Sequence, residues 1–202
     1  MSEPTRHAGE PIRVRFGGLG GQGLVTLGAV LAEAGARSGL HVAASQAYGS
    51  RARGGATRAD VILASEPIDF PHVHQADLLL VLAQEAYELY LPQVAPGGVV
   101  LADGFFVKLE ERPGVRQHCL AATSAAMEQL GNKVAANFVM LGALLGFGRV
   151  VGEEAVGAAM RNLVNKRFLE VNRKAFELGC GLGARLREDT GLREGVGPWQ
   201  RS

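Results

Sequence analysis

Apolar and polar positions change period several times along this chain, and each change marks an element. Ile12 to Phe16 reads I-R-V-R-F, apolar residues alternating with arginine, which predicts a short strand. From Gln22 to Ser38 the spacing becomes helical, with Leu24, Leu27, Leu31 and Ala34 on one face and Gly39 placed to end it. Leu40 to Ser45, Arg58 to Ala64 and Asp77 to Leu82 follow as strands. The last of these, D-L-L-L-V-L, is apolar on both faces and suits a strand buried between two layers. A helix from Gln84 to about Leu91 stops at Pro92, and Pro96-Gly97-Gly98 is read as a turn into a strand from Val99 to Ala102.

Val115 to Leu120 is the last strand of the pattern. Thr123 or Ser124 is placed to cap a short helix that ends near Gly131. Beyond it the pattern is helical only: Val134 to Phe147 apolar and rich in small residues, Glu153 to Leu163 amphipathic, and Lys166 to Leu178 apolar against basic. Glycine and charge dominate from Gly181 onward. This divides the chain into an N-terminal arm (1–11), one folded domain (12–180) and a mobile tail or partner-binding arm (181–202). Strands and helices alternating at this spacing imply a Rossmann-like α/β fold, an open and mostly parallel sheet with helices on both faces and a helical C-terminal segment. Ligands of such sheets bind at the carboxyl ends of the strands.

Two loops fall at that edge. The first follows the opening strand as G-L-G-G-Q-G, placing Gly18, Gly20, Gly21, Gln22 and Gly23 between strand and helix, where backbone must turn tightly and can approach a phosphate. The second reads Y-G-S-R-A-R-G-G and gathers Tyr48, Arg51, Arg53, Gly54 and Gly55. Arginine presents planar, paired donors suited to phosphate or carboxylate. The alternative readings are that the glycines only allow helix and strand to pack closely, and that the arginines are solvated or pair with a partner subunit. No carboxylate lies between Leu40 and Arg58 to grip a ribose, which argues against an NAD enzyme. Leu24-Val25 stands where a P-loop would have lysine and a hydroxyl residue.

Bulk composition narrows the classes further. The 202 residues are 47% hydrophobic and 20% charged, enough for one domain with a sizeable core. Lysine and arginine number 21 against 20 acidic residues, so no basic excess points to nucleic acid. Cys119 and Cys180, the only cysteines, cannot by themselves hold an iron–sulfur cluster or a closed zinc site and are expected to be reduced thiols. The N-terminal residues carry no signal-peptide pattern, and no apolar run approaches the roughly 18 residues of a membrane span, so a cytoplasmic protein is expected. His72 and His74, beside Pro71, suit an exposed strand edge better than a metal site, and Asp103-Gly104 suits a turn as well as a ligand contact. No nucleophile with an oriented base is visible.

G-L-G-G-Q-G, Y-G-S-R-A-R-G-G, A-D-L-L-L-V-L, P-G-G-V-V-L-A-D and N-F-V-M-L-G-A-L-L-G, in that order from Ile12 to Gly179, resemble the gamma subunit of the 2-oxoacid:ferredoxin oxidoreductases, nearest the 2-oxoglutarate type. Ala47 and Ser50-Arg51 depart from the serine-tyrosine-glycine-proline-glutamate pattern common in that type, leaving the oxoacid open. The resemblance implies a Rossmann-like module without chemistry of its own, joined to alpha and beta chains that hold thiamine diphosphate and magnesium. A ferredoxin-like chain would carry 4Fe-4S clusters and ferredoxin would accept the electrons. Coenzyme A is the candidate ligand of this chain, steered by the two loops, with Asn137 of N-F-V-M-L-G at the same crevice or at a subunit interface. The alternatives are a non-catalytic scaffold, a pyruvate or indolepyruvate oxidoreductase subunit, or a stand-alone dinucleotide-binding protein.

Overall fold

In the computed structural model, described for residues 10–48 and 55–191, the chain forms six strands and six α-helices in the order β1 (Ile12–Leu19), α1 (Leu24–Arg37), β2 (His41–Ala47), β3 (Ala56–Ala64), β4 (Ala76–Val81), α2 (Gln84–Tyr90), β5 (Val94–Asp103), β6 (Arg116–Leu120), α3 (Ala122–Leu130), α4 (Ala136–Gly148), α5 (Glu153–Leu163) and α6 (Lys166–Asp189). The sheet order is β2-β3-β1-β4-β5-β6. β1, β4, β5 and β6 pair in parallel, whereas β3 pairs antiparallel with both β1 and β2. Only β3 therefore runs against the rest, and the expected open, mostly parallel α/β sheet is what forms.

Alternation along the strands decides which side chains enter which layer. Val14, Phe16, Leu78, Leu80, Val99 and Leu101 face the larger core, built with α1 and α3 to α6. Leu79, Val81, Val100 and Ala102 face the smaller one, covered by α2 through Tyr87 and Tyr90. Helices cover both faces, but unequally.

The α2 face also carries a buried ion pair. Arg15 is fully buried, and its guanidinium meets both carboxylate oxygens of Asp60 at 2.7 and 2.9 Å. Two further N–H groups reach the side-chain oxygen of Gln93 at 2.5 Å and the carbonyl of Val73 at 2.6 Å. A buried guanidinium is tolerable only when its donors are matched in this way.

α4 is buried around almost its whole circumference, as its uniformly apolar sequence requires. It crosses α6 at backbone contact. A methyl group on Gly142 or Gly146 would overlap the carbonyl oxygens of Phe176 or Cys180, and one on Gly179 or Gly183 those of Val139 or Ala143. Small residues four apart on both helices allow this approach.

Three sequence expectations need correction. Pro96-Gly97-Gly98 does not precede the fifth strand but lies inside it, as an irregularity between the Ala76–Val94 and Leu78–Val99 pairs. Thr123 and Ser124 do not cap α3, which starts at Ala122. The last helix does not fray at Leu178 but continues to Asp189, because Gly179 and Gly183 are its contact points with α4 rather than breakers. Residues 1–9 and 192–202, most of the expected arm and half of the expected tail, lie outside the described residues.

Candidate functional site

β1 ends at Leu19 and α1 begins at Leu24, so Gly20 to Gly23 form the connection at the carboxyl edge of the sheet. Gly21 and Gly23 adopt positive φ values of 88° and 74°, which residues with a Cβ rarely take. Gly18, expected in the loop, lies within β1, and the four glycines of the motif divide by role. A side chain on Gly18 would strike Gln22 Oε1, and one on Gly23 would lie 2.6 Å from Asn137 Nδ2. Gly20 and Gly21 meet nothing within 4 Å and stay open to a ligand. Close packing thus accounts for the outer two glycines and leaves the inner two free.

Gln22 is turned inward. Its Oε1 accepts from the Leu19 amide at 2.6 Å and its Nε2 donates to the Leu82 carbonyl at 2.9 Å, tying the end of β1 to the end of β4. Asn137, at the start of α4, donates through Nδ2 to the carbonyl of Gln22 at 3.1 Å. Gln22 and Asn137 therefore fix the loop's shape.

Of the second loop, Tyr48 and Gly55 are described, while Arg51, Arg53 and Gly54 lie outside the described residues. Tyr48 is exposed. The loop leaves the sheet at Ala47 and returns at Ala56, which pairs with Leu19. Its base therefore stands beside the glycine loop on one sheet edge. Arg58, just inside β3, reaches Asp60 at 3.5 Å.

A cavity of about 180 Å3 opens beside the glycine loop, lined by Gly21, Gln22 and Asn137 together with Asp103, Thr123, Lys133 and Phe106. Asp103 ends β5 and is fully buried. Its carboxylate accepts from Thr123 Oγ1 at 2.5 Å, the Thr123 amide at 3.3 Å and the Phe105 amide at 3.2 Å. It therefore does for α3 what a local cap would have done. Lys133 Nζ lies 4.9 and 4.7 Å from the ring centres of Phe105 and Phe106, a cation–π pairing at the cavity mouth. Sequence reading weighed Asp103 as a turn residue and passed over Lys133 and the phenylalanines, which come from separate connections with no shared spacing.

Of the remaining candidates, Cys119 lies at the carboxyl end of β6 near Asp103, while Cys180 on α6 and His72 and His74 stand apart from this edge. Cys119 and Cys180 are free; burial and the Asp103 charge raise the thiol of Cys119, and burial with Glu153 pushes that of Cys180 up to about 12. His72 and His74 are exposed and flank the Phe70 ring at 5.3 and 5.4 Å. Among the described residues no group of three or more His, Cys, Asp or Glu could hold a metal ion, and no helix is long and apolar enough to cross a membrane.

Residues 13–182 match the profile of the family described as pyruvate ferredoxin/flavodoxin oxidoreductase. The chain belongs to this family. The 2-oxoglutarate synthase subunit KorC of Methanocaldococcus jannaschii is 37% identical over 176 residues, covering 86% of this chain and 94% of that protein. The crystal structure of a keto/oxoacid ferredoxin oxidoreductase gamma subunit from Geobacter sulfurreducens superimposes with a TM-score of 0.76 at 35% identity, over 86% of this chain and 99% of that one. The 2-oxoglutarate:ferredoxin oxidoreductase of Magnetococcus marinus, solved with 2-oxoglutarate, coenzyme A and succinyl-CoA bound, shares the fold at 22% identity and a TM-score of 0.78. It covers 99% of this chain, which spans 33% of that longer polypeptide. This chain is accordingly a gamma-type subunit of an oxidoreductase complex, and other subunits complete the enzyme.

Proposed function

We propose that this chain supplies the coenzyme A side of the active site in a 2-oxoglutarate:ferredoxin oxidoreductase. One observation carries the reading: the open glycines Gly20 and Gly21 and the base of the arginine loop share one sheet edge, through the Leu19–Ala56 pair. Backbone amides at a helix start and guanidinium groups on the facing loop are together a receptor for a polyphosphate. The coenzyme A bound to the Magnetococcus enzyme supports the choice of ligand, and the KorC relatives support 2-oxoglutarate as the oxoacid.

Thiamine diphosphate with magnesium on alpha and beta partner chains would supply the decarboxylation. 4Fe-4S clusters on a ferredoxin-like partner would pass the electrons to ferredoxin. The task of this chain's residues is to bind the phosphates of coenzyme A, orient its thiol arm toward the partner chains and exclude water around it. Arg51 and Arg53 would meet the phosphates, Gly20 and Gly21 would let them approach the backbone, and Gln22 and Asn137 would hold the loop in place.

The test is purification of the tagged chain, without oxygen, with whatever partners co-elute. Viologen reduction is then assayed with 2-oxoglutarate, pyruvate, branched-chain and indole oxoacids, with and without coenzyme A. Coenzyme A-dependent reduction strongest with 2-oxoglutarate is expected. Preference for another oxoacid would overturn the substrate assignment. Reduction and acyl-CoA formation undiminished in a complex lacking this chain would overturn its role.

A further inference from the structure

Helices α5 and α6 are held by different neighbours, α5 by α1 and α6 by α4, and a groove of about 370 Å3 remains between them. Gly157 leaves a notch in its wall, since an added Cβ there would meet only the end of Arg161, at 3.8 Å. Leu169 and the methylene stems of the charged residues wall the groove, and Met160 and Phe176, nearly fully buried, close it below. Its rim carries four glutamates against two arginines. Arg173 is already taken by Glu170 at 2.9 Å and by Glu177. Glu153 and Glu154 stand in the first turn of α5, and no lysine or arginine among the described residues pairs with either. Glu153 faces the Cys180 thiol, so these two lie at the same end of the groove as Glu177, while Arg161 comes about two turns further along α5. That end of the groove is acidic.

The chain that follows α6 has the length and the side chains to fill it. Gly191 adopts a φ of 66°, the left-handed termination that turns the chain out of the helical path. Residues 192–202, L-R-E-G-V-G-P-W-Q-R-S, lie outside the described residues and contain the only tryptophan of the sequence, Trp199, preceded by Pro198 and followed by Arg201. Glu177 stands about 21 Å back along α6 from Gly191, at roughly 1.5 Å per residue. The segment from Gly191 to Trp199 spans at most about 26–29 Å when extended, at roughly 3.3–3.6 Å per residue, so Trp199 reaches the acidic end. The groove has room for about twelve water-sized groups at roughly 30 Å3 each, more than an indole needs. An indole also matches it chemically, a flat apolar body with one N–H for a carboxylate. Pro198 restricts the segment before it binds, which lowers the entropy cost of ordering it.

We propose that the groove between α5 and α6 is the docking site of this chain's own residues 192–202, with the Trp199 ring in the notch at Gly157 and the Arg201 guanidinium against Glu153 and Glu154. The proposal uses none of the residues assigned to coenzyme A and stands or falls without that reading.

A single tryptophan makes the test direct. Fluorescence of the purified full chain is compared with that of N-acetyl-tryptophanamide, and quenching by acrylamide is measured on both. Emission that is blue-shifted, shielded from acrylamide and unchanged on dilution is expected. Gly157→Leu fills the notch at a helix position that leucine favours over glycine, so the circular dichroism should hold while emission and quenching move to the values of the free compound. Arg201→Glu, which sets a carboxylate against Glu153 and Glu154, should loosen the segment and lose the shielding. Emission of the native chain equal to that of the free compound overturns the proposal. Shielding that Gly157→Leu leaves intact also overturns it, by placing Trp199 elsewhere; should that variant fail to fold, shielding left intact by Arg201→Glu does so instead. Shielding lost on dilution would make the occupant the same segment of a second copy, and overturns the docking within one chain.

Discussion

Asn137 Nδ2 donates to the carbonyl of Gln22, a residue 115 positions earlier, and the same amide nitrogen occupies the space that a side chain on Gly23 would need. One contact thus joins the most buried helix of the domain to the loop that opens on the ligand edge. Asn137→Ala should cost about 1 kcal/mol of stability for the lost hydrogen bond, read as a lower melting temperature. Loosening of the loop should also raise the KM for coenzyme A in the assembled enzyme while kcat at saturation holds. A fall in kcat with KM unchanged would show that Asn137 acts elsewhere.

The α4–α6 crossing should be the least forgiving place in the fold. Gly142→Ala and Gly179→Ala each drive a methyl group into opposing backbone, which cannot move aside as a side-chain end could. Overpacking typically costs about 1–3 kcal/mol, and these two should reach or exceed the top of that range. Chemical denaturation of the purified chain measures it. Losses within about 0.5 kcal/mol, the usual size for surface changes, would mean that the helices are not packed at backbone contact.

Much of this was legible in the sequence because it rests on local pattern. The six strands and six helices follow from periodicity, and the two special loops from glycine between strand and helix. Strand direction was not, because alternation is the same whichever way a strand runs; nothing in Ala56–Ala64 marks β3 as reversed. The end of α6 was misread because glycine as a contact point and glycine as a helix breaker look alike until α4 is in place. The cavity was hidden for a related reason. Asp103 and Phe106 begin the β5–β6 connection, whereas Lys133 comes from the one between α3 and α4, and they meet only through the fold.

His118 gives the fold a defined response to acid. It lies on β6 with its ring 5.3 Å from that of Phe147, and its Nε2 is buried without a hydrogen-bond partner. Burial, and then the Arg116 charge, hold its pKa below the ordinary 6.5. As pH falls through 6.5 the unfolded chain takes up a proton that the folded chain still refuses, so stability declines until the lowered folded-state pKa is reached. Above 6.5 both states are neutral at this residue and it adds no slope. Melting temperatures across pH 5 to 8 should therefore bend downward below about 6.5 in the native chain. The bend should be reduced in His118→Phe, and an identical bend in that variant would place its origin in another group.

The two loops should separate stability from ligand binding. Gly20 has open space around it and no positive φ, so Gly20→Ala should leave the melting temperature nearly unchanged. Its methyl group would nonetheless stand where a phosphate must approach the backbone, and the KM for coenzyme A should rise. If Arg53 meets a phosphate as proposed, Arg53→Ala should lower apparent coenzyme A affinity about ten- to a hundredfold, for a charge-assisted contact of about 1.5–3 kcal/mol. Steady-state kinetics on the intact complex, checked for subunit content by gel filtration, read both variants. Dissociation of the complex before any change in KM would make the arginine loop a subunit contact rather than a phosphate clamp. If both variants keep the native KM in an intact complex, the carboxyl edge of this sheet is not where coenzyme A binds.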